Sequence, residues 1–201
     1  MNQVISSHLS VEGCNTLLVQ NVTVTNGGNL SILAPNDVQF NGTFAIDGTG
    51  ILNINTLPPG NNIQKAIIIG TYGAPFQYSN SQNTNSFTNE YGRPTNDVYY
   101  KLILTTPMQI TINHCGSSVN DTYLHLLDAN GGLITYNDDY SGTGSCSNSL
   151  HSYLKLNLGV GTYYIVSEGY SANGVIQTSV IGELPQIKYY YDASGNRTSR
   201  Q

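Results

Sequence analysis

The sequence predicts an all-β chain, a short-strand β stack followed by an antiparallel β-sandwich of the jelly-roll type. Three observations point there. Ala, Glu, Lys, Arg and Gln, the residues that favour helices, are scarce. Only 9% of the 201 residues are charged, against about 25% in an ordinary soluble domain; the polarity comes instead from 24 Asn, 19 Ser and 19 Thr. Apolar residues recur in short alternating runs with turn residues between them, the period of a strand with one face inward.

Residues 1–60 carry five such runs, Val22–Val24, Leu30–Ile32, Val38–Phe40, Phe44–Ile46 and Leu52–Ile54, whose starts lie 8, 8, 6 and 8 residues apart. Asn26-Gly27-Gly28, Asn41-Gly42 and Asp47-Gly48 stand between them as turns. Strands this short cannot bury a core alone, so the runs are expected to stack as rungs, each covering the next. Leu57-Pro58-Pro59-Gly60 is the predicted joint. Composition changes across it: residues 1–64 hold no Lys or Arg, and all 15 tyrosines lie from Tyr72 onward.

Residues 61–185 read as a sandwich. Ala66–Gly70 begins it, and the Ser-, Asn- and Thr-rich stretch Tyr78–Asn89 is expected to be an exposed crossing loop. Seven longer strands follow, at Val98–Leu104, Gln109–Asn113, Thr122–Leu127, Leu133–Tyr136, Ser152–Leu158, Thr162–Ser167 and Val175–Ile181. In residues 186–201, Tyr189–Asp192 reads as a strand entering a turn, with nothing after it to pair, so the chain looks cut from something longer.

Charge excludes a nucleic-acid partner, and the length of the apolar runs excludes a helical membrane span. A net charge of −5 with seven basic residues cannot supply the phosphate contacts of a nucleic-acid binder. No apolar run approaches the roughly 20 residues of a helical membrane span.

Three segments resemble known families. Gly13–Ile32, continuing to Ile54, is similar to the 3-coathanger stack domain of secreted Bacteroidetes proteins. Asn96-Asp-Val-Tyr-Tyr-Lys-Leu102, Asp121–Asp128, Asn137-Asp-Asp139 and Gly161-Thr-Tyr-Tyr-Ile-Val166 resemble the bacterial pre-peptidase C-terminal (PPC) domain. Tyr189-x-Tyr-Asp-x-x-Gly-Asn-Arg197 is similar to the opening of an RHS/YD repeat. The PPC resemblance implies a non-catalytic jelly roll appended to larger secreted proteins, often peptidases, some members binding calcium or a substrate polymer. No peptidase domain precedes the module in this chain.

On this reading the chain is a non-catalytic extracellular binding or stabilising module of a secreted or surface-anchored bacterial protein. Two alternatives stay open: a lectin-like module binding carbohydrate or peptide, and a purely structural spacer for an RHS-type protein. Met1–Gly13 has no basic and apolar signal pattern, so a signal peptide is expected upstream.

Candidate site residues follow. Cys115 and Cys146 are expected to pair if the chain is exported, leaving Cys14 over; three buried, reduced cysteines are the alternative. Asp121, Asp138 and Asp139 are expected to meet at one rim, with Asn137 and backbone carbonyls beside them. Carboxylates at that density suit Ca²⁺, whereas Asx-turns account for the same residues without a metal. Tyr136 and Tyr140 are the candidate ligand-binding plates, with Tyr140 expected to be exposed and a glycan or extracellular protein as partner. Tyr153, Tyr163, Tyr164 and Tyr170 are plates of the same kind, core packing competes for over half of the six, and one of the adjacent Tyr163 and Tyr164 should point inward. Catalysis finds little support. His8, His114, His125 and His151 accompany no Gly-x-Ser-x-Gly, and Asp121 with Asp139 is a glycosidase pair only in the sense that any two rim carboxylates are.

Overall fold

The computed structural model describes residues 3–12, 16–34, 37–140, 146–185, 189–191, 194 and 197–200. Cys14 lies outside them. The chain divides into two compact units, residues 1–67 and 68–201. Strand dominates both.

In the first unit, strands β1 (Gln3–Ile5), β3 (Thr16–Val24) and β5 (Asp37–Ile46) form one parallel sheet, and β2 (His8–Glu12), β4 (Asn29–Ala34) and β6 (Ile51–Thr56) form another. The chain alternates between the sheets, so each coil contributes a strand to both. The stacking differs from the expected succession of five rungs. Val22 pairs with Phe44 and Asn29 with Ile51, so a run stacks on the one a full coil later. Val38–Phe40 and Phe44–Ile46 belong to the single strand β5. The sheet change explains this, because turns at Asn26-Gly27 and Asp47-Gly48 send successive runs to different faces. The coil interior is packed by Ile5, Val22, Val24, Leu30 and Ile32.

β7 (Ile67–Tyr72), whose first residue closes the first unit, opens the second, and β8 (Phe76–Asn83) follows. Then come β9 (Val98–Leu104), β10 (Met108–Asn113), β11 (Thr122–Leu127), β12 (Leu133–Asn137), β13 (Tyr153–Leu158), β14 (Gly161–Gly169) and β15 (Val175–Glu183). A four-stranded sheet, β13-β10-β15-β8, and a five-stranded sheet, β12-β11-β14-β9-β7, make the sandwich. Tyr100, Leu102, Leu104, Ile110, Ile112, Leu124, Leu126 and Ile165 are fully buried. The first half of the expected crossing loop, Tyr78–Asn83, is strand: β8 runs antiparallel to β15, from Phe76 opposite Gly182 to Asn83 opposite Val175. An edge strand with one wet face accepts neutral polar residues, and its apolar content is correspondingly low.

Strands β16 (Tyr189–Tyr191) and β17 (Arg197–Arg200) pair antiparallel, so the tail strand does have a partner. Tyr163 and Tyr164 are both half-buried rather than split between inside and outside. Among the described residues, no helix is long and apolar enough to cross a membrane.

Candidate functional site

The five-stranded sheet carries a cluster of polar and aromatic groups on its outer face. Strand β11 is buried at every position: Leu124 and Leu126 sit in the core, while Tyr123 and His125, one residue out of phase, lie on the opposite face. Burial there comes from the chain between β8 and β9. Tyr91 meets the His125 ring edge-on at 4.7 Å. The Arg93 guanidinium lies 4.5 Å from the Tyr123 ring centre and 4.0 Å from that of Tyr170, and Nη2 donates to the Tyr170 carbonyl at 3.1 Å. A cation between two ring faces is a favourable arrangement.

Beside this cluster the structure brings Asp121, Asp138 and Asp139 together, with one oxygen of each within 4.8 Å of the others. The strands dictate it. Leu124 of β11 pairs with Asn137 of β12, so the residue leading into β11 and those leaving β12 share an edge of the sheet. Asp121 Oδ1 and Asp138 Oδ1 are buried and accept no hydrogen bond. Burial raises both carboxyls; the negative charge of Asp139 adds to each, Asp121 adds to Asp138, and Arg93 works in the other direction on both.

Asn137 and the neighbouring carbonyls are committed elsewhere, contrary to expectation. Asn137 Oδ1 accepts from Tyr153 N at 2.7 Å, and its Nδ2 donates to the Asp139 carbonyl at 3.1 Å. The Asp121 carbonyl accepts from Tyr170 N, and the Asp138 carbonyl from Ser152 Oγ. These bonds hold the carboxylates in place, leaving the carboxylate oxygens as the group's open acceptors.

The two candidate tyrosines separate. Tyr136 is 55% exposed and stacks on Tyr123 with ring centres 5.5 Å apart and planes 13° from parallel. Tyr140 is half-buried against Tyr153, with ring centres 4.4 Å apart, because its own N–H is tied to the Ser149 carbonyl. Cys115 and Cys146 are joined in a disulfide with Cα atoms 5.0 Å apart.

The sequence reading missed Arg93, Tyr123, Asp97 and Glu168. A signal existed for Glu168: a carboxylate inside the apolar run Tyr164-Ile-Val-Ser-Glu168 must be buried, and a buried carboxylate needs partners. His125 Nε2 lies 2.6 Å from Glu168 Oε1.

No protein-family model matches the chain, and no curated protein matches it by sequence. Among solved structures, the pre-peptidase C-terminal domain of a collagenase from Bacillus anthracis is similar at 14% identity, over 57% of this chain and 95% of that one, with a TM-score of 0.38. The enzymatically active domain of tailspike protein 4 from bacteriophage CBA120 is similar at 9% identity, over 88% of this chain and 38% of that one, with a TM-score of 0.28. At these TM-scores neither neighbour transfers a fold name or an activity to this chain.

Proposed function

We propose that residues 68–185 form a non-catalytic binding or stabilising module of a secreted or surface protein, with a Ca²⁺ site at Asp121, Asp138 and Asp139. The observation that carries this reading is the convergence of three carboxylates within 4.8 Å, two of them with a sequestered oxygen that accepts nothing. Like charges so placed repel unless a cation compensates them, and Ca²⁺ takes six to eight hard oxygens at flexible geometry. Three carboxylates supply up to six oxygens, and water completes the shell. The disulfide supports an oxidising compartment.

Thermal melting of the full chain in EDTA and in millimolar Ca²⁺ tests it. The midpoint should rise by several degrees with Ca²⁺, as ligand binding to the folded state requires. Asp139→Asn should abolish the rise while melting in EDTA no earlier than the parent, since it removes a repulsion. An unchanged midpoint in saturating Ca²⁺ would overturn the reading.

One observation favours a second role for the same face. Tyr136 presents an exposed ring backed by Tyr123, next to carboxylates able to accept from hydroxyl groups. That suits a glycan, and loss of glycan-array signal in Tyr136→Ala is the corresponding test.

A further inference from the structure

We propose that Asp97 and Glu168 hold one proton between them in a sealed site, and that this proton fastens the chain between Phe87 and Asp97 to the outer face of the five-stranded sheet. Both side chains belong to residues with 0% exposure. Asp97 Oδ2 accepts from the backbone N–H groups of Glu90 and Tyr91, each at 2.6 Å. That one carboxyl oxygen therefore pins the turn that carries Tyr91 and Arg93.

The other oxygen, Asp97 Oδ1, is buried and receives no N–H or O–H from the protein. Val98 of β9 pairs with Ser167 of β14, which sets Asp97 beside Glu168, and the two carboxyls interact side chain to side chain. Two ionised carboxylates have no hydrogen to share, so contact between them requires a proton on one. The remaining groups fit Glu168 as acceptor. His125 Nε2 is 2.6 Å from Oε1, and the His125 Nδ1 is left without a partner, as the neutral tautomer with its hydrogen on Nε2 would leave it. Thr95 Oγ1 lies 3.0 Å from Oε2 and 2.6 Å from the Gly169 carbonyl. Asp97 then carries the proton, donating from Oδ1 to Glu168.

The titratable and charged groups around the pair are Glu90, Tyr91, Arg93 and Tyr99 on the near side, with Tyr123 and His125 on β11. Burial is the largest influence: it pushes Asp97 up to about 7 and raises Glu168, where the hydrogen bonds with Thr95 and Asp97 work against it, while it holds the His125 imidazole down to about 4. Arg93 opposes the rise at Glu168. Two carboxyls so close titrate as a pair. The sign follows from linkage: folded values above the unfolded ones stabilise fully below about pH 4, and the contribution is lost as pH rises through about 7. Above that, two buried negative charges face each other and the fastening weakens.

Amide hydrogen exchange at Glu90 and Tyr91 reads the fastening directly. In EDTA, which separates the result from any cation at the rim, and after correction for intrinsic rates, their protection should fall at least tenfold between pH 6 and pH 8.5. Asp97→Asn keeps an oxygen for the two amides and supplies its own N–H to Glu168, so its protection should not vary over that range. Equal protection at both pH values in the parent, or the same fall in Asp97→Asn, would overturn the proposal. Should the variant fail to fold, the side-chain carboxyl ¹³C shifts of the parent decide alone: neither Asp97 nor Glu168 titrating between pH 5.5 and 8.5 would sink it.

Discussion

Asn21 Oδ1 accepts the backbone N–H of Thr43 at 3.1 Å, 22 residues and one full coil along the chain. The contact sits where β3 and β5 break register, with Asn21 at φ 50° and Gly42 at φ 77°. A side chain from one coil thus holds the backbone of the next. Asn26 does the same one corner on, accepting from Thr49 N at 3.0 Å.

A Cβ at Gly42 would lie 2.3 Å from Asn21 Oδ1, in a backbone conformation that L side chains rarely adopt. Gly42→Ala should therefore destabilise the first unit by about 1–3 kcal/mol, and Asn21→Ala by about 1 kcal/mol. The readout is built in. Every tyrosine lies beyond residue 71, so in urea titrations the circular-dichroism transition should move earlier while tyrosine fluorescence stays put. Fluorescence moving by the same amount would contradict this.

The disulfide from Cys115 to Cys146 spans 31 residues and closes the segment that bears the three aspartates. On the chain-entropy model a loop of that length contributes about 3–4 kcal/mol. Replacing both cysteines with serine should lower the unfolding free energy by that order. A double mutant as stable as the parent would remove the disulfide from the account of this unit.

His114 is fully buried, with Nε2 2.9 Å from Ser167 Oγ and Nδ1 unpartnered. Burial, with a smaller effect from His151, holds its imidazole down to about 3. A lowered folded value means the unfolded chain takes up a proton that the folded one refuses. Stability from this residue is complete above about pH 6.5 and is lost as pH falls toward 3. His125 acts with the same sign, and the Asp97–Glu168 pair opposes both. The difference between parent and His114→Gln isolates one residue: it should shrink by about 1 kcal/mol per pH unit between pH 6 and 4. A difference that is flat with pH would mean His114 titrates normally.

Sandwich strands were legible because they are longer apolar runs bounded by turn residues; Val98–Leu104 and Thr122–Leu127 are found within the same bounds in the structure. The coil period was not, because Val38 and Phe44 read as two runs, and only the sheet change at each turn shows that they share a strand. The acidic rim was legible as neighbouring strand ends. Arg93 and Asp97 were not, since their partners Tyr170 and Glu168 lie more than 70 residues away and nothing local to the 87–97 segment announces the sheet face it covers.

Arg93 offers the sharpest test of how that face is held. It donates to the Tyr170 carbonyl and lies over the rings of Tyr123 and Tyr170. Its charge lowers the carboxyls of Asp121, Asp138 and Glu168 against the upward push of burial. Arg93→Ala removes stacking and charge together, so all three carboxyls should titrate at higher pH in ¹³C spectra, and stability at pH 7 should fall by about 1–2 kcal/mol. Arg93→Lys returns the charge without the planar fork. It should restore most of the carboxyl titration but little of the lost stability. Full recovery of both with lysine would mean that the rings contribute nothing beyond placing a positive charge above the rim.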